Sequence, residues 1–249
     1  MASVVGLSAR YANFLVHPLL AGPGVCQTCR GPATLGYPAC WPCQQAATTL
    51  GAGVADVVVP ISLALKGGQY ANELWRYKNA QGPQKQHFSM GLAAVLWRFL
   101  AAHETCISEG CAVPRFDTVT TVPSTSGRTT HPLRGMVAGI VGPTRARYRD
   151  LLTPVPDAAT LGRTASPARY TSVGLWGSDI LLIDDTWTTG NHAQSASAAL
   201  KAAGANSVAV VVLGRHLNIA YGDTATHVEQ ARLRRFSWDV CALRHWTHN

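Results

Sequence analysis

The chain has 249 residues, 47% of them hydrophobic and 14% charged, a balance that excludes a disordered chain and supplies enough apolar material for a sizeable core. No run approaches about 18 apolar residues, which excludes a membrane-spanning helix, and FLVHPLLAGPG (14–24) is too short and too broken by His17 and Pro18 for a signal peptide, so the expected location is cytoplasmic. The formal net charge of +8 attracts polyanions, be they nucleic acid, an acidic membrane face or a small polyphosphate.

In chain order, residues 1–20 carry Val4, Leu7, Tyr11, Phe14, Leu15 and Leu19 at helical spacing and predict an amphipathic helix. Pro, Gly and Cys then dominate 22–43. Here Cys26-x2-Cys29 and Cys40-x2-Cys43, ten residues apart (30–39), place four thiols on two tight knuckles, the usual ligand set of a tetrahedral structural Zn²⁺. In a chain without a signal peptide such pairs speak for metal over disulfides. CWPC (40–43) also reads as a CxPC redox pair, although no βαβ strand precedes it. VADVVVPISLAL (54–65) predicts the first strand, which Pro60 places at a sheet edge or a bulge. A turn at Gly67-Gly68 opens a short helix, and Pro83 opens a longer one over 83–106, with Phe88, Leu92, Val95, Leu96, Phe99 and Leu100 at helical spacing.

Strands and helices alternate from there. FDTVTTVPS (116–124) predicts a strand, LRGMVAGIVG (133–142) a helix, and 150–155 a short strand. Residues 157–175, rich in Pro, Thr, Ser and Gly, predict a mobile loop. DILLIDD (179–185) reads as a strand, NHAQSASAALKAAGA (191–205) as a helix ending at Gly204, and SVAVVVLGR (207–215) as another buried strand. The last thirty residues predict one helix, which would set Cys241 and His245 one turn apart. These two, with His248, Cys106 and Cys111, are a candidate second metal group, against the alternative of buried free thiols and incidental histidines. The alternation predicts an α/β fold with a parallel sheet flanked by helices on both faces.

In open α/β sheets ligands sit at the C-terminal ends of the strands. Four apolar residues, Ile180 to Ile183, run there into Asp184 and Asp185, and TWTTG (186–190) turns into a helix. Unpaired N–H groups at such a turn suit a phosphate, with Thr188 and Thr189 adding hydroxyl donors. The carboxylates would repel the phosphate, but they can accept hydrogen bonds from sugar hydroxyls or hold Mg²⁺ through water. The local chemistry calls for a phosphate beside a diol. It lacks the GxxxxGK[ST] pattern of a Walker loop.

ILLIDDTWTTG (180–190) resembles the phosphoribosyl pyrophosphate (PRPP) binding signature of type I phosphoribosyltransferases. The resemblance implies that Asp184 and Asp185, the carboxylates at the catalytic centre, bind the ribose hydroxyls. Thr186, Trp187, Thr188, Thr189 and Gly190 would cradle the 5′-phosphate. Where the family pattern continues with a small residue and Thr, this chain has Asn191 and His192, and His192 offers a ring N–H instead. A CxxC…CxxC module ahead of that signature resembles the ComF-like family, proteins of phosphoribosyltransferase fold with an N-terminal zinc ribbon. QYANELWRYKN (69–79) and FDTVTTVPS resemble further segments of that family, so that the likeness spans most of residues 26–215. Its Arg-Gly-Phe-Asn-Gln segment is reduced here to LRGMVAG (133–139), retaining Arg134 and Gly135.

The resemblance implies a helix and zinc-ribbon module over 1–50, a phosphoribosyltransferase-like domain over 51–220 and a C-terminal helix over 221–249. It implies structural Zn²⁺ on Cys26, Cys29, Cys40 and Cys43, and Mg²⁺ arriving with PRPP. The pyrophosphate would be held near Ser124 to Gly127 with Arg128 or Arg134, Lys78 would approach the site, and Arg163 and Arg169 would flank a lid. Transfer of the phosphoribosyl group to a nitrogen nucleophile is the implied activity. A non-catalytic accessory role in DNA uptake or nucleic-acid handling is the alternative, which the family's likeness to competence proteins and the basic charge both suggest.

Overall fold

The computed structural model describes residues 3–125, 131–162 and 164–243. Four parallel strands form the central sheet: β1 (Val57–Leu65), β2 (Thr118–Thr121), β5 (Asp179–Trp187) and β6 (Ser207–Leu217), in the order β1-β6-β5-β2. A small antiparallel pair, β3 (Leu152–Pro154) and β4 (Tyr170–Ser172), stands apart. Pro60 lies on an edge strand as its missing N–H requires, since among the described residues β1 pairs only with β6.

Both central strands are apolar at successive positions because both sheet faces are covered. Leu181 and Ile183 of β5, with Ala209, Val211 and Leu213 of β6, pack into one core; Ile180 and Leu182, with Val208, Val210 and Val212, pack into the other. This is the period of two expected of strands buried on both sides. The first core is roofed by α4 (Gly82–Gly110), whose Leu92, Val95, Leu96, Phe99 and Leu100 are buried, and by α3 (Gln69–Asn79). The second is roofed by α7 (Asn191–Ala202), which presents Ala193, Ala196, Ala199 and Leu200. Its small residues let the helix lie close to the sheet.

Three expectations are corrected. The N-terminal helix is only α1 (Val4–Ala9) followed by a 3-10 turn (Arg10–Asn13), and His17-Pro18 beyond it cannot extend a helix. Tyr11 and Leu15 nevertheless enter the α4-side core. Among the described residues the C-terminal stretch is helical only over α8 (Thr224–Arg232); 233–243 are irregular, so Cys241 is not on a helix, and His245 and His248 lie outside the described residues. The segment 157–175, expected as a mobile loop, contains β4 and is anchored by Arg169. That side chain is buried and donates to the carbonyls of Ala158, Gly162 and Thr164 at 2.8–3.0 Å. Burying a guanidinium is tolerable because several carbonyls accept from it. A further helix, α2 (Trp41–Leu50), begins at the second cysteine pair with Cys40 as its N-cap. Helices α5 (Pro132–Gly139) and α6 (Gly142–Arg145) complete the fold.

Candidate functional site

A cleft of about 1350 Å³ opens at the C-terminal edge of the sheet, bounded by α3, the ends of β2 and β5, the start of α5 and the start of α7. Asp184 and Asp185 stand on its floor. Neighbours along a strand point in opposite directions, and the two carboxylates meet different surroundings. Asp185 accepts from the Tyr77 hydroxyl and pairs with Lys78 Nζ at 2.6 Å, both partners coming from the last turn of α3. Asp184 accepts the backbone N–H of Asp185 at 2.8 Å. Burial raises the Asp184 carboxyl to about 7; the adjacent Asp185 charge adds to the rise and Lys78 opposes it. One acid is thus held by a cation and a phenol, while its neighbour is poised to change charge near neutrality.

The turn that follows is shaped from beneath. β5 runs on to Trp187, whose indole is buried among the second core and the four cysteines rather than facing the cleft. Gly190 adopts φ +81°, where a side chain is strained, and a Cβ there would overlap the Trp187 indole. The buried Arg215 of β6 donates from Nη1 to the carbonyls of Trp187 (3.1 Å), Thr188 (2.8 Å) and His216 (2.7 Å). In a trans peptide the N–H points opposite to the C=O. With the 187 and 188 carbonyls drawn down to Arg215, the N–H groups of Thr188 and Thr189 point away from it. Helix α7 starts immediately after Gly190 with no acidic residue in its first turn, so its positive end is uncompensated. Backbone donors, the helix dipole and the Thr188 hydroxyl therefore all belong to one turn, an arrangement that suits an anion.

The remaining expected residues divide. Thr186, Thr188 and His192 line the cleft, and Ser124 and Arg134 lie on its opposite wall. Thr189 and Gly190 form the bend itself. Arg134 is held by Asp150 through three contacts of 2.6–3.0 Å. His192 Nδ1 lies 2.9 Å from the Tyr170 hydroxyl, so Nε2 is the nitrogen left to face a ligand; burial, with Arg169 nearby, lowers its pKa and keeps the ring neutral. Tyr170 also reaches the Pro123 carbonyl at 3.2 Å, so β4 braces both walls of the cleft. Arg169, expected at a lid, is instead an internal anchor. Arg128 and Arg163 lie outside the described residues.

Arg215, Tyr77 and Tyr170 were not among the expected site residues. Arg215 carried a signal, being a cation within an otherwise apolar strand, where a buried charge requires a dedicated set of partners. Tyr77 carried one too, lying beside Lys78 in the QYANELWRYKN segment, whereas Tyr170 carried none beyond its type.

The four cysteines are buried together, their sulfurs within 4.8 Å of one another. Cys29 and Cys40 Sγ are 3.7 Å apart, the edge of a tetrahedron with metal–sulfur bonds of about 2.3 Å. The first knuckle is closed by Cys26 N–H to Gly31 C=O (2.8 Å) and Cys29 N–H to Cys26 Sγ (3.4 Å), and the second by the entry to α2. Hydrogen bonds from Cys29, Cys40 and Cys43 hold the Cys26 thiol well below its ordinary pKa. Such a cluster suits structural zinc. Arg215 Nε lies 3.3 Å from Cys29 Sγ, and a Cβ at Gly31 would strike the same guanidinium. One buried cation thus touches both the cysteine cluster and the ligand turn.

No protein-family model matches the chain, and no curated protein matches it.

Proposed function

We propose that the cleft binds PRPP or a related ribose 5-phosphate ligand with Mg²⁺, and that the chain is a phosphoribosyltransferase of the ComF-like kind, built on a type I phosphoribosyltransferase-like sheet with a zinc-ribbon module. The carrying observation is that two carboxylates lead directly, on one strand end, into an amide-lined turn at a helix N-terminus. A ligand that satisfies both must present hydroxyls and a phosphate a few ångströms apart. The four-parallel-strand sheet, open at its C-terminal edge, is compatible with that fold.

In this reading the turn from Thr186 to Gly190 takes the 5′-phosphate, and Asp184 and Asp185 accept from the ribose hydroxyls. Tyr77 and Lys78 fix the Asp185 carboxylate so that its free lone pairs face the cleft. Mg²⁺, held through water by Asp184 and Asp185, would neutralise charge on the departing pyrophosphate. Displacement at the anomeric carbon passes through an oxocarbenium-like state, and the Asp185 carboxylate, joined by Asp184 once that is ionised, favours that positive charge. Ser124 and Arg134 lie where the pyrophosphate would extend.

Calorimetric titration with PRPP and Mg²⁺ tests the reading. Binding should require Mg²⁺ and weaken at least about tenfold in Asp184→Asn and in Asp185→Asn, the loss of a charge-assisted hydrogen bond. An absence of heat at high micromolar PRPP would overturn it. Salt-sensitive DNA binding that survives both substitutions would replace it with the nucleic-acid accessory role.

A further inference from the structure

Away from the cleft and the four-cysteine cluster, another buried group of reactive side chains lies where α4 meets the irregular C-terminal segment. His103 and Cys106 are one helical turn apart on α4 and so project from one side of it. Cys241 reaches them from beyond α8, and all three residues are buried. Their candidate ligand atoms lie within 4.8 Å of one another, with Cys106 Sγ 3.2 Å from Cys241 Sγ and 3.9 Å from His103 Nδ1. Cys111, named with them from the sequence, is only half-buried at the C-cap of α4 and is not in the group.

Two observations make this more than a pair of core thiols. First, His103 Nε2 lies 2.8 Å from the Trp238 carbonyl, which can only accept, so Nε2 carries the proton and Nδ1 presents its lone pair towards Cys106. A metal-ligating imidazole is ordinarily oriented in this way, by giving its other N–H to a carbonyl. Second, the sulfur spacing favours a bridging ion over a sulfur–sulfur bond. A disulfide of about 2.05 Å would draw the sulfurs together by more than about 1 Å. Two bonds of about 2.3 Å at a tetrahedral angle need about 3.7 Å, a parting of only about 0.5 Å. A disulfide would also leave His103 Nδ1 without a function.

We propose that His103 Nδ1 and the thiolates of Cys106 and Cys241 form a second metal site, for a thiophilic d¹⁰ cation such as Zn²⁺. Binding releases one proton from each thiol, and the ion ties the long helix α4 to the C-terminal segment. This inference does not depend on the proposed sugar-phosphate site.

Metal analysis of the full chain, with Zn²⁺ as the probe, tests it. Two zinc ions per chain are expected. Cys241→Ser and Cys106→Ser should each leave one, Cys26→Ser should also leave one, and Cys26→Ser with Cys241→Ser should leave none. Replacing zinc by Co²⁺ in the unmutated chain provides a readout that no folding defect can confuse. Sulfur-to-cobalt absorption should rise until two equivalents are bound and end about 1.5-fold above that of the four-thiolate site alone, the ratio of six thiolates to four. Saturation at one equivalent, or a zinc content unchanged by Cys241→Ser, would overturn the proposal. So would a Cys106–Cys241 disulfide found by mass in the protein as purified.

Discussion

The four-cysteine cluster and the turn after β5 touch the same guanidinium, yet they are built in opposite ways. The cluster draws its ligands from side chains, two per knuckle, and each sulfur is placed by a hydrogen bond or two of local backbone. The turn draws its donors from the backbone, and what aims them lies beneath: the Trp187 indole, the left-handed Gly190 and the Arg215 cation from another strand. A side-chain site fails when one ligand is lost. A backbone site keeps all its donors after any substitution other than by proline, and fails by losing their direction.

The largest effect should come from the cluster. Cys43→Ser should abolish its metal, and because a structural zinc site contributes on the order of 10 kcal/mol to folding, the thermal midpoint should fall by at least about 10 °C. An unchanged midpoint by scanning calorimetry would make the cysteines a passive core. Next is Gly190→Ala, which forces a side chain into the left-handed region and against Trp187. The conformational term alone costs about 1–2 kcal/mol. A midpoint drop of several degrees is expected, with at least tenfold weaker sugar-phosphate binding and an unaltered zinc content. Unmutated-like affinity in this variant would show that the turn is not the phosphate seat. The smallest effect is graded with pH. The Asp184 carboxyl, raised to about 7 by burial, must ionise to offer charge-assisted acceptors on both oxygens and to hold Mg²⁺, so binding should weaken by up to about tenfold per unit as pH falls below about 7. The sign for stability is opposite: a raised carboxyl pKa makes the folded state gain stability as pH falls from about 7 towards the ordinary carboxylate range. Titration calorimetry in two buffers of different ionisation heat would register the released proton. A pH profile in Asp184→Asn identical to that of the unmutated chain would assign the titration to another group.

What could be read from the sequence follows the same division. The cysteine pairs are legible because each knuckle is a local motif whose spacing is set by one turn. The β5 apolar run and the two acids after it are legible because strand period and strand end are local too. Arg215 reaches Trp187 and Thr188 across 28 and 27 residues, and Tyr170 reaches His192 and Pro123 across 22 and 47, so only tertiary packing brings them there. The segment 157–175 misleads for a related reason. Its composition is that of a loop, but a single residue, Arg169, collects its carbonyls into a fixed arrangement that no periodicity announces. The C-terminal stretch misleads the other way, since its charged and apolar residues suit a helix while Trp238 and Cys241 are drawn individually into the core.

Arg215 has a consequence for the order in which the molecule assembles. Cys29 lies in the first fifty residues and Arg215 on the last strand of the sheet, while two of the carbonyls it holds, at 187 and 188, belong to the end of β5 and the turn after it. Those carbonyls gain their buried donor only when the late strand β6 lies beside β5, and the same guanidinium then meets the early knuckle at Cys29. A chain interrupted before β6 can pair only β2 with β5, since β6 joins β1 to β5, and its turn after β5 lacks the Arg215 donor. The shape of the turn after β5 therefore depends on a strand that comes later in the chain, and the same guanidinium ties that turn to the early cysteine knuckle.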